Sequence, residues 1–309
     1  MVRIRSSLLA VRMAAGVLGA GVSSGAMALT IFACEPEWAS LASELAPQAS
    51  IVNATHARQD PHYIEARPSL IAQLRRADLA ICTGAELEAG WLPVLQQRAG
   101  NPSVQNGQPG MLFVSELVAL IDKQPEATRA QGDVHPTGNP HVHLDPVRVA
   151  QIAQALSKRL QAIDPDGAKG YQERHDAWAQ QWTQHQVRWA QEAAPLKGRA
   201  VVAQHSSFAY LWQWLGMHQT LDLEPKPGLP PTPSHLSSLV AEVRQQKPVA
   251  IVQTLYQDQA PVRWLHERTD VPWLSLPSTV TQDGPSTSLS ALLDTLIQQL
   301  VELAEPTKR

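Results

Sequence analysis

The chain has 309 residues, with 25 Lys plus Arg against 28 Asp plus Glu, 11 His and only 2 Cys. This length predicts one large domain or two medium ones. The formal net charge of −3 lacks the excess of basic residues typical of nucleic-acid-binding proteins, so we expect no nucleic-acid partner. Two cysteines exclude a four-cysteine zinc ribbon and a disulfide-dense miniprotein, and an apolar fraction of 44% excludes intrinsic disorder.

The first 28 residues have the pattern of a secretory signal peptide. Two early arginines give a basic start, an apolar stretch of small residues follows, and an A-x-A cleavage site ends at Ala28. Arg12 interrupts the apolar stretch, which argues against a membrane-spanning helix. An uncleaved amphipathic anchor and, through Cys34, a lipoprotein are the alternatives. We expect export across a bacterial inner membrane and a periplasmic protein after cleavage near Ala28.

Short strand-like runs alternate with helix-length segments early in the chain and again late in it. This alternation predicts βαβ units and parallel sheets in two α/β halves. In chain order we predict strand 29–34, helix 37–45, strand 50–53, helix 69–76, strand 79–82, a helix from Ala85, strand 200–203, helix 207–215, helix 234–246, strand 249–253, strand 273–276 and a closing helix 289–303.

A mostly helical stretch, 145–194, lies between the halves. An Asp-Pro pair opens it as N-cap and first helical residue, and a Pro/Gly cluster at 164–167 separates two helices. The second helix is long and carries Trp178, Trp182 and Trp189 four and seven residues apart on one face, which we interpret as core packing. A helix of this length links two halves more stiffly than a loop.

Both cysteines end predicted strands, Cys34 the first strand and Cys82 the third. If these strands are neighbours in a parallel sheet, the thiols can pair in an oxidising compartment. Two unpaired buried cysteines are the alternative. We favour the disulfide.

Four candidate ligands lie where a parallel α/β domain binds its ligand, beyond the carboxyl ends of strands or just before a capped helix. They are His62, His141, His205 and Asp283. Three imidazoles and one carboxylate suit tetrahedral Zn²⁺, whereas Ca²⁺ or Mg²⁺ would require mostly oxygen ligands. Spacing alone is a weak signal, because 64 to 79 positions separate the candidates and no HExxH motif is present.

Two segments strengthen this interpretation. Residues 60–69, DPHYIEARPS, resemble the DPHxYExxPS segment of the cluster A-I metal-binding proteins, with Ile64 in place of the usual Tyr, and residues 139–146, NPHVHLDP, are similar to their PHxWLDP segment. Further matches lie at 77–88 and at 231–234, so the resemblance covers essentially the whole mature chain. These proteins are the periplasmic zinc and manganese receptors of ABC transporters.

The resemblance implies an α/β fold of two lobes, each with a mainly parallel four-stranded sheet flanked by helices, joined by a long rigid backbone helix. The implied organisation is a signal peptide at 1–28, an N-terminal lobe at 29–164, a linking helix at 165–195 and a C-terminal lobe at 196–309. One Zn²⁺ per chain would be bound in the cleft between the lobes, as transported ligand.

By motif position, the three histidines and Asp283 named above would bind this ion. His205 points to zinc, because the manganese branch carries a Glu at this position and imidazole is the softer ligand. His143 stands where the family usually has an aromatic residue, and His135 is the one histidine of the preceding loop. Both are candidate auxiliary ligands.

We therefore expect a monomeric, non-enzymatic zinc receptor that delivers its ion to an inner-membrane ABC permease with its cytoplasmic ATPase. A periplasmic metal donor is a further candidate partner. A manganese receptor of the same fold is the first alternative. A secreted zinc hydrolase is the second, with Glu65 as its general base and an open water position on the metal.

Overall fold

In a computed structural model, which describes residues 28–127 and 131–304, the chain forms two α/β lobes joined by long helices. The predicted signal peptide lies outside the described residues except for Ala28. The lobe boundaries given above stay predictions. Within the described ranges, no helix is long and apolar enough to cross a membrane.

The N-terminal lobe contains a four-stranded parallel sheet in the order β2-β1-β3-β4. Its strands are β1 (Thr30–Ala33), β2 (Ser50–Asn53), β3 (Leu79–Cys82) and β4 (Met111–Phe113), and its helices are α1 (Pro36–Leu45), α2 (Pro68–Arg75) and α3 (Leu92–Ala99). All four residues of β3 are buried, as expected of a central parallel strand that helices cover on both faces.

The C-terminal lobe repeats this plan with a parallel sheet in the order β6-β5-β7-β8. Its elements are β5 (Ala200–Ala203), α6 (Ala209–Leu215), β6 (His218–Asp222), α7 (Pro233–Gln246), β7 (Ile251–Thr254), α8 (Ala260–Thr269), β8 (Trp273–Leu276) and α9 (Leu289–Ala304). The predicted fold class, with two four-stranded parallel sheets, is therefore confirmed.

Two helices connect the lobes, α4 (Pro146–Ile163) and the 25-residue α5 (Ala168–Glu192). The predicted N-cap is present, since the Asp145 side chain accepts the backbone N–H groups of Val147 and Arg148. A ³₁₀ turn over Pro165–Gly167 separates the two helices, where the Pro/Gly cluster predicted a break.

The three tryptophans of α5 are buried, so the core-packing interpretation is confirmed. Trp178 and Trp182 stack with their ring centroids 4.8 Å apart, and Trp182 meets Trp189 edge-on at 5.2 Å. Because these rings belong to the same apolar core as β1, β5 and α9, one continuous core extends from the first lobe into the second.

Some helices and strands differ from those predicted from the sequence. The helix predicted from Ala85 begins only at Leu92, because residues 84–86 form a left-handed turn with φ of 80°, 49° and 62°. The strands β4 and β6 and the helix α8 were not predicted. β4 has only three residues and β6 has no buried residue, so neither presents a clear hydrophobic period.

A disulfide joins Cys34 and Cys82, with their Cα atoms 4.8 Å apart, as favoured from the sequence. The bond is formed because β1 and β3 pair in register, so that both cysteines emerge at the same edge of the sheet. This edge also carries the loops of the site described next.

Candidate metal centre

A cavity of about 550 Å³ lies between the lobes, lined by residues that follow β2, β5, β6 and β7. It therefore lies at the carboxyl ends of both sheets, where parallel α/β domains bind ligands. His62 and His205 line it from opposite lobes, together with the carboxylates of Asp60, Asp133 and Glu224. These three carboxylates outnumber the one guanidinium in the lining, that of Arg58, so the charge of the cavity favours the entry of a cation.

His62 is held by an aspartate two residues before it. The Asp60 carboxylate lies 3.0 Å from the His62 backbone nitrogen and 2.6 Å from its ring Nδ1. Donation from Nδ1 fixes the tautomer and leaves Nε2 with a free lone pair, the arrangement found in metal-bound histidines. The pKa of Asp60 is lowered, since its bonds and charge interaction with His62 outweigh the opposing effect of burial.

His205 has the same kind of support from the other lobe. Its Nδ1 lies 2.8 Å from Glu224 Oε2, which also accepts the backbone N–H of Gly228. Burial lowers the pKa of His205, but its hydrogen bond to Glu224 and the Glu224 charge outweigh burial, so the net pKa is raised.

His141 is the most enclosed of the predicted ligands. Its ring is 6.3 Å from the His205 ring, and its Nε2 is buried with no hydrogen-bond partner. Burial, followed by the neighbouring histidines, holds its pKa well below the usual range, so the imidazole is neutral. A buried acceptor without a partner is costly, and a metal ion would satisfy this one.

The backbone around His141 is tied to both lobes. Asn139 accepts the His141 N–H through its side-chain oxygen and donates its side-chain N–H to the Ser206 carbonyl of the C-terminal lobe. The Tyr210 hydroxyl donates to the Asn139 carbonyl. These bonds fix the position of His141 between the lobes.

Of the two candidate auxiliary ligands, His143 is engaged away from the cavity. Its Nε2 donates to the Ser278 carbonyl at 2.6 Å, and its Nδ1 lies 3.1 Å from Glu37 Oε1. The ring packs edge-on against Trp38. It therefore bridges the lobes at the position where the family usually has an aromatic residue.

His135 lies much closer to the predicted ligands than its place in the loop suggested. Its Nε2 is 3.1 Å from His62 Nε2, and its Nδ1 is 2.7 Å from the Ala85 carbonyl oxygen. Burial and then the His62 charge lower its pKa to about 4, so the ring is neutral at physiological pH.

Asp283 is not among the residues that line the cavity of His62 and His205. It lies in an exposed turn after β8 and lines a second cavity, which shares Arg58 with the first. Its role as a ligand stays a prediction.

The turn at residues 84–86 that supports His135 is held by a buried carboxyl pair. Glu88 accepts the backbone N–H groups of Thr83 and Gly84 at 2.6 and 3.0 Å, and Glu35 accepts the Thr83 hydroxyl at 3.0 Å. Burial raises the pKa of Glu88 to about 7 and also raises that of Glu35. The pair therefore retains a proton well above the range where carboxyl groups usually ionise.

We expect this proton to make stability depend on pH. Glu88 ordinarily titrates near 4.5, so between about pH 4.5 and 7 the folded state binds more protons than the unfolded state. Stability contributed by protonated Glu88 is complete below this window and is lost as the pH rises through it, by at most about 1.4 kcal/mol per pH unit. Urea unfolding of wild type and Glu88→Gln from pH 5 to 8 measures this, and the variant should gain stability relative to wild type as pH rises. Parallel profiles would contradict the assignment.

The described part of the chain holds one trio of candidate ligand atoms within 4.8 Å of one another, Cys34, Cys82 and Glu88. Its sulfurs form the disulfide, so they are not available as thiolates. Within the described residues, no three of the candidate histidines therefore have ring nitrogens within 4.8 Å of one another, whereas ligands on Zn²⁺ stand about 3.3 Å apart in a tetrahedron with bonds of about 2.0–2.1 Å. Binding an ion requires side chains or lobes to move inward.

Comparisons with known proteins agree with this architecture. Residues 31–303 match the family model described as zinc-uptake complex component A, periplasmic (ZnuA). The high-affinity zinc uptake system protein ZnuA of Yersinia pestis is 26% identical over 186 residues, which is 54% of this chain and 58% of the relative. The manganese ABC transporter substrate-binding lipoprotein PsaA of Streptococcus mitis is 23% identical over 223 residues, which is 69% of this chain and 68% of the relative.

The zinc-binding lipoprotein AdcA of Streptococcus pneumoniae is 24% identical over 61% of this chain, but the match spans only 37% of AdcA. Among solved structures, a crystal structure of ZnuA superposes with a TM-score of 0.74 at 18% identity, covering 90% of this chain and all of that one. A cadmium-bound periplasmic metal-binding protein from Candidatus Liberibacter asiaticus superposes with a TM-score of 0.74 at 16% identity, also covering 90% of this chain and all of that one.

The family model spans nearly the whole described chain, and its members are binding components of metal-uptake transporters rather than enzymes. The chain belongs to the periplasmic zinc-uptake component A family of metal ABC transporter substrate-binding proteins.

Proposed function

We propose that this chain is a periplasmic receptor that captures one Zn²⁺ between its lobes and delivers it for import. The observation that carries this proposal is the nearness of three imidazoles from loops of both lobes. His62 and His205 line one cavity, and the ring of His141, whose buried Nε2 has no hydrogen-bond partner, lies 6.3 Å from the ring of His205. Asp283 remains the fourth ligand predicted from the family pattern.

Zinc is favoured over manganese because the candidate ligands are mainly imidazoles, and the Asp60 and Glu224 carboxylates are engaged in holding two of these rings. Imidazole suits Zn²⁺, whereas Mn²⁺ prefers carboxylate, carbonyl and water ligands. A manganese receptor is the second candidate, since relatives named for zinc and for manganese both match this chain. Family membership argues against the hydrolase alternative, because the members of this family are binding components rather than enzymes. The base proposed for a hydrolase, Glu65, is also an exposed side chain outside the cavity lining.

Capture requires no covalent chemistry. The carboxylates of Asp60 and Glu224 fix the orientation of the His62 and His205 rings before the ion arrives. These two side chains therefore lose less conformational freedom when the ion binds. The ion would draw the rings together, and since they come from both lobes, closer approach of the lobes would accompany binding. Bonds already spanning the lobes, such as Asn139 to Ser206, limit the size of this movement.

The partners that would receive the ion from this chain are inferred from its family. Substrate-binding components of metal ABC transporters work with a membrane permease and an ATPase, and we propose an inner-membrane permease with a cytoplasmic ATPase as the partners here. We also propose a mature monomer in the periplasm, formed by cleavage near Ala28, with a periplasmic metal donor as a further candidate partner.

Metal analysis tests the proposed function. Metal-free protein mixed with equal concentrations of Zn²⁺ and Mn²⁺, then freed of unbound ions, should retain one zinc per chain. Retention of manganese in preference to zinc would establish the second candidate. Retention of neither ion would overturn both.

A further inference from the structure

His135 faces His62 with an unprotonated nitrogen. Its Nδ1 lies 2.7 Å from the Ala85 carbonyl, which can only accept, so the ring proton is on Nδ1 and Nε2 carries a lone pair. The His62 Nδ1 proton is likewise directed to the Asp60 carboxylate. The two Nε2 atoms, 3.1 Å apart, are therefore both acceptors in the neutral rings.

Two acceptors at this distance repel each other unless a positive charge lies between them. A proton can bridge only this pair, whereas a metal ion could join both nitrogens to the imidazoles of His141 and His205. The separation of 3.1 Å is close to the distance of about 3.3 Å between two nitrogens on one tetrahedral Zn²⁺. This pair already has nearly the spacing that a shared ion requires.

The support for His135 is built into the fold. Ala85 and Glu86 both have left-handed backbone conformations, with φ of 49° and 62°, which non-glycine residues adopt only when their surroundings impose it. The turn presents the Ala85 carbonyl to His135 and the Glu86 carboxylate to the Thr137 hydroxyl, at 2.8 Å. The loop is thus anchored on both sides of His135.

A further pair of contacts places this segment across the cavity. The Tyr63 hydroxyl, next to His62 in the chain, donates to the Asp133 carboxylate, and the Asp133 backbone N–H donates to the Pro227 carbonyl of the C-terminal lobe at 2.9 Å. His135 is therefore carried by a segment bonded to both lobes. Asp283, in contrast, lies in an exposed turn on another cavity.

We propose that His135 is the fourth ligand of the transported ion, so that the ion is bound by four imidazoles: His62, His135, His141 and His205. This inference rests on the proposed function and departs from the carboxylate ligand that the family pattern implies. An all-imidazole set makes His135 a determinant of selectivity, because it removes the oxygen ligand that Mn²⁺ would favour.

X-ray absorption spectroscopy of the zinc-loaded protein should give four imidazoles in wild type and three imidazoles with one oxygen ligand in His135→Ala. Zinc affinity, measured by competition with a chromophoric chelator, should fall by about 100-fold or more, since even outer-shell partners of metal ligands contribute 10–100-fold. His135→Asp should restore part of the affinity and raise the ratio of Mn²⁺ to Zn²⁺ binding. His218→Ala, an exposed histidine where β6 begins, is the control and should match wild type.

The outcomes separate the two proposals. If wild type binds one zinc and His135→Ala retains its affinity while Asp283→Ala loses it, His135 is not a ligand and the receptor function stands. If wild type shows three imidazoles and one carboxylate oxygen, the assignment is likewise overturned. If wild type binds no zinc, both proposals fail.

Discussion

Replacing His141 with alanine is expected to lower zinc affinity by at least about 100-fold, a larger loss than the orienting carboxylates would give. His141 is fully enclosed between the lobes, its Nε2 has no partner, and its low pKa keeps it neutral, so it offers a lone pair without first losing a proton. No neighbouring side chain can replace it. His143, two residues on, already donates its Nε2 proton to Ser278.

Thermal unfolding with and without zinc measures this effect. Bound zinc stabilises the wild type by RT ln(1 + [Zn]/Kd), about 4 kcal/mol at a thousand times Kd, and at the same zinc concentration a 100-fold loss of affinity leaves about 1.4 kcal/mol or less in His141→Ala. The metal-free variant should still unfold cooperatively, which shows that the loss concerns binding. His218→Ala, at an exposed position where β6 begins, serves as the matched control and should keep the full zinc response. A normal zinc response in His141→Ala would remove this residue from the ligand set.

Replacing Trp189 with alanine is expected to destabilise the fold by about 3–5 kcal/mol. Trp189 is completely buried, meets Trp182 edge-on, and donates its ring N–H to Asp294 on α9. Helix α5 has few other buried residues, namely Tyr171, Trp178 and Trp182, so its attachment to the lobes depends on this aromatic stripe. Loss of the ring leaves a large void and also removes the bond to Asp294.

Urea unfolding of the metal-free protein measures the loss. Val187→Ala is the matched control, since Val187 lies on the same helix but is 56% exposed, and its cost should stay within about 0.5 kcal/mol. A loss below about 1 kcal/mol for Trp189→Ala would show that the stripe does not attach α5 to the lobes.

Much of the fold could be predicted because its signals are local. Short buried strands alternate with amphipathic segments, Asp145 caps its helix, and the tryptophans of α5 recur at helical spacing. The errors also have local causes. The left-handed backbone at residues 84–86 interrupts the helix predicted from Ala85, and β6 pairs with β5 without a buried face that its sequence could reveal.

The candidate metal centre, as proposed here, could be predicted from the sequence only in part. His62, His141 and His205 each follow a strand or precede a capped helix, so the general rule for parallel sheets selects them. His135 has no such position. Its closeness to His62 depends on the left-handed turn that presents the Ala85 carbonyl, a conformation that Ala85 and Glu86 do not signal in the sequence.

The sequence by itself was enough to predict the two-lobed fold, the connecting helix and the family, and to select three histidines as candidate ligands, because periodicity, capping and motifs are properties of neighbouring residues. Only the tertiary structure decided that Cys34 and Cys82 are bonded, that Asp60 and Glu224 orient the imidazoles, and that His135 stands beside His62 while Asp283 lines a second cavity. Those relations join residues far apart in the chain, and their distances are set by how strands pair and how the two lobes pack.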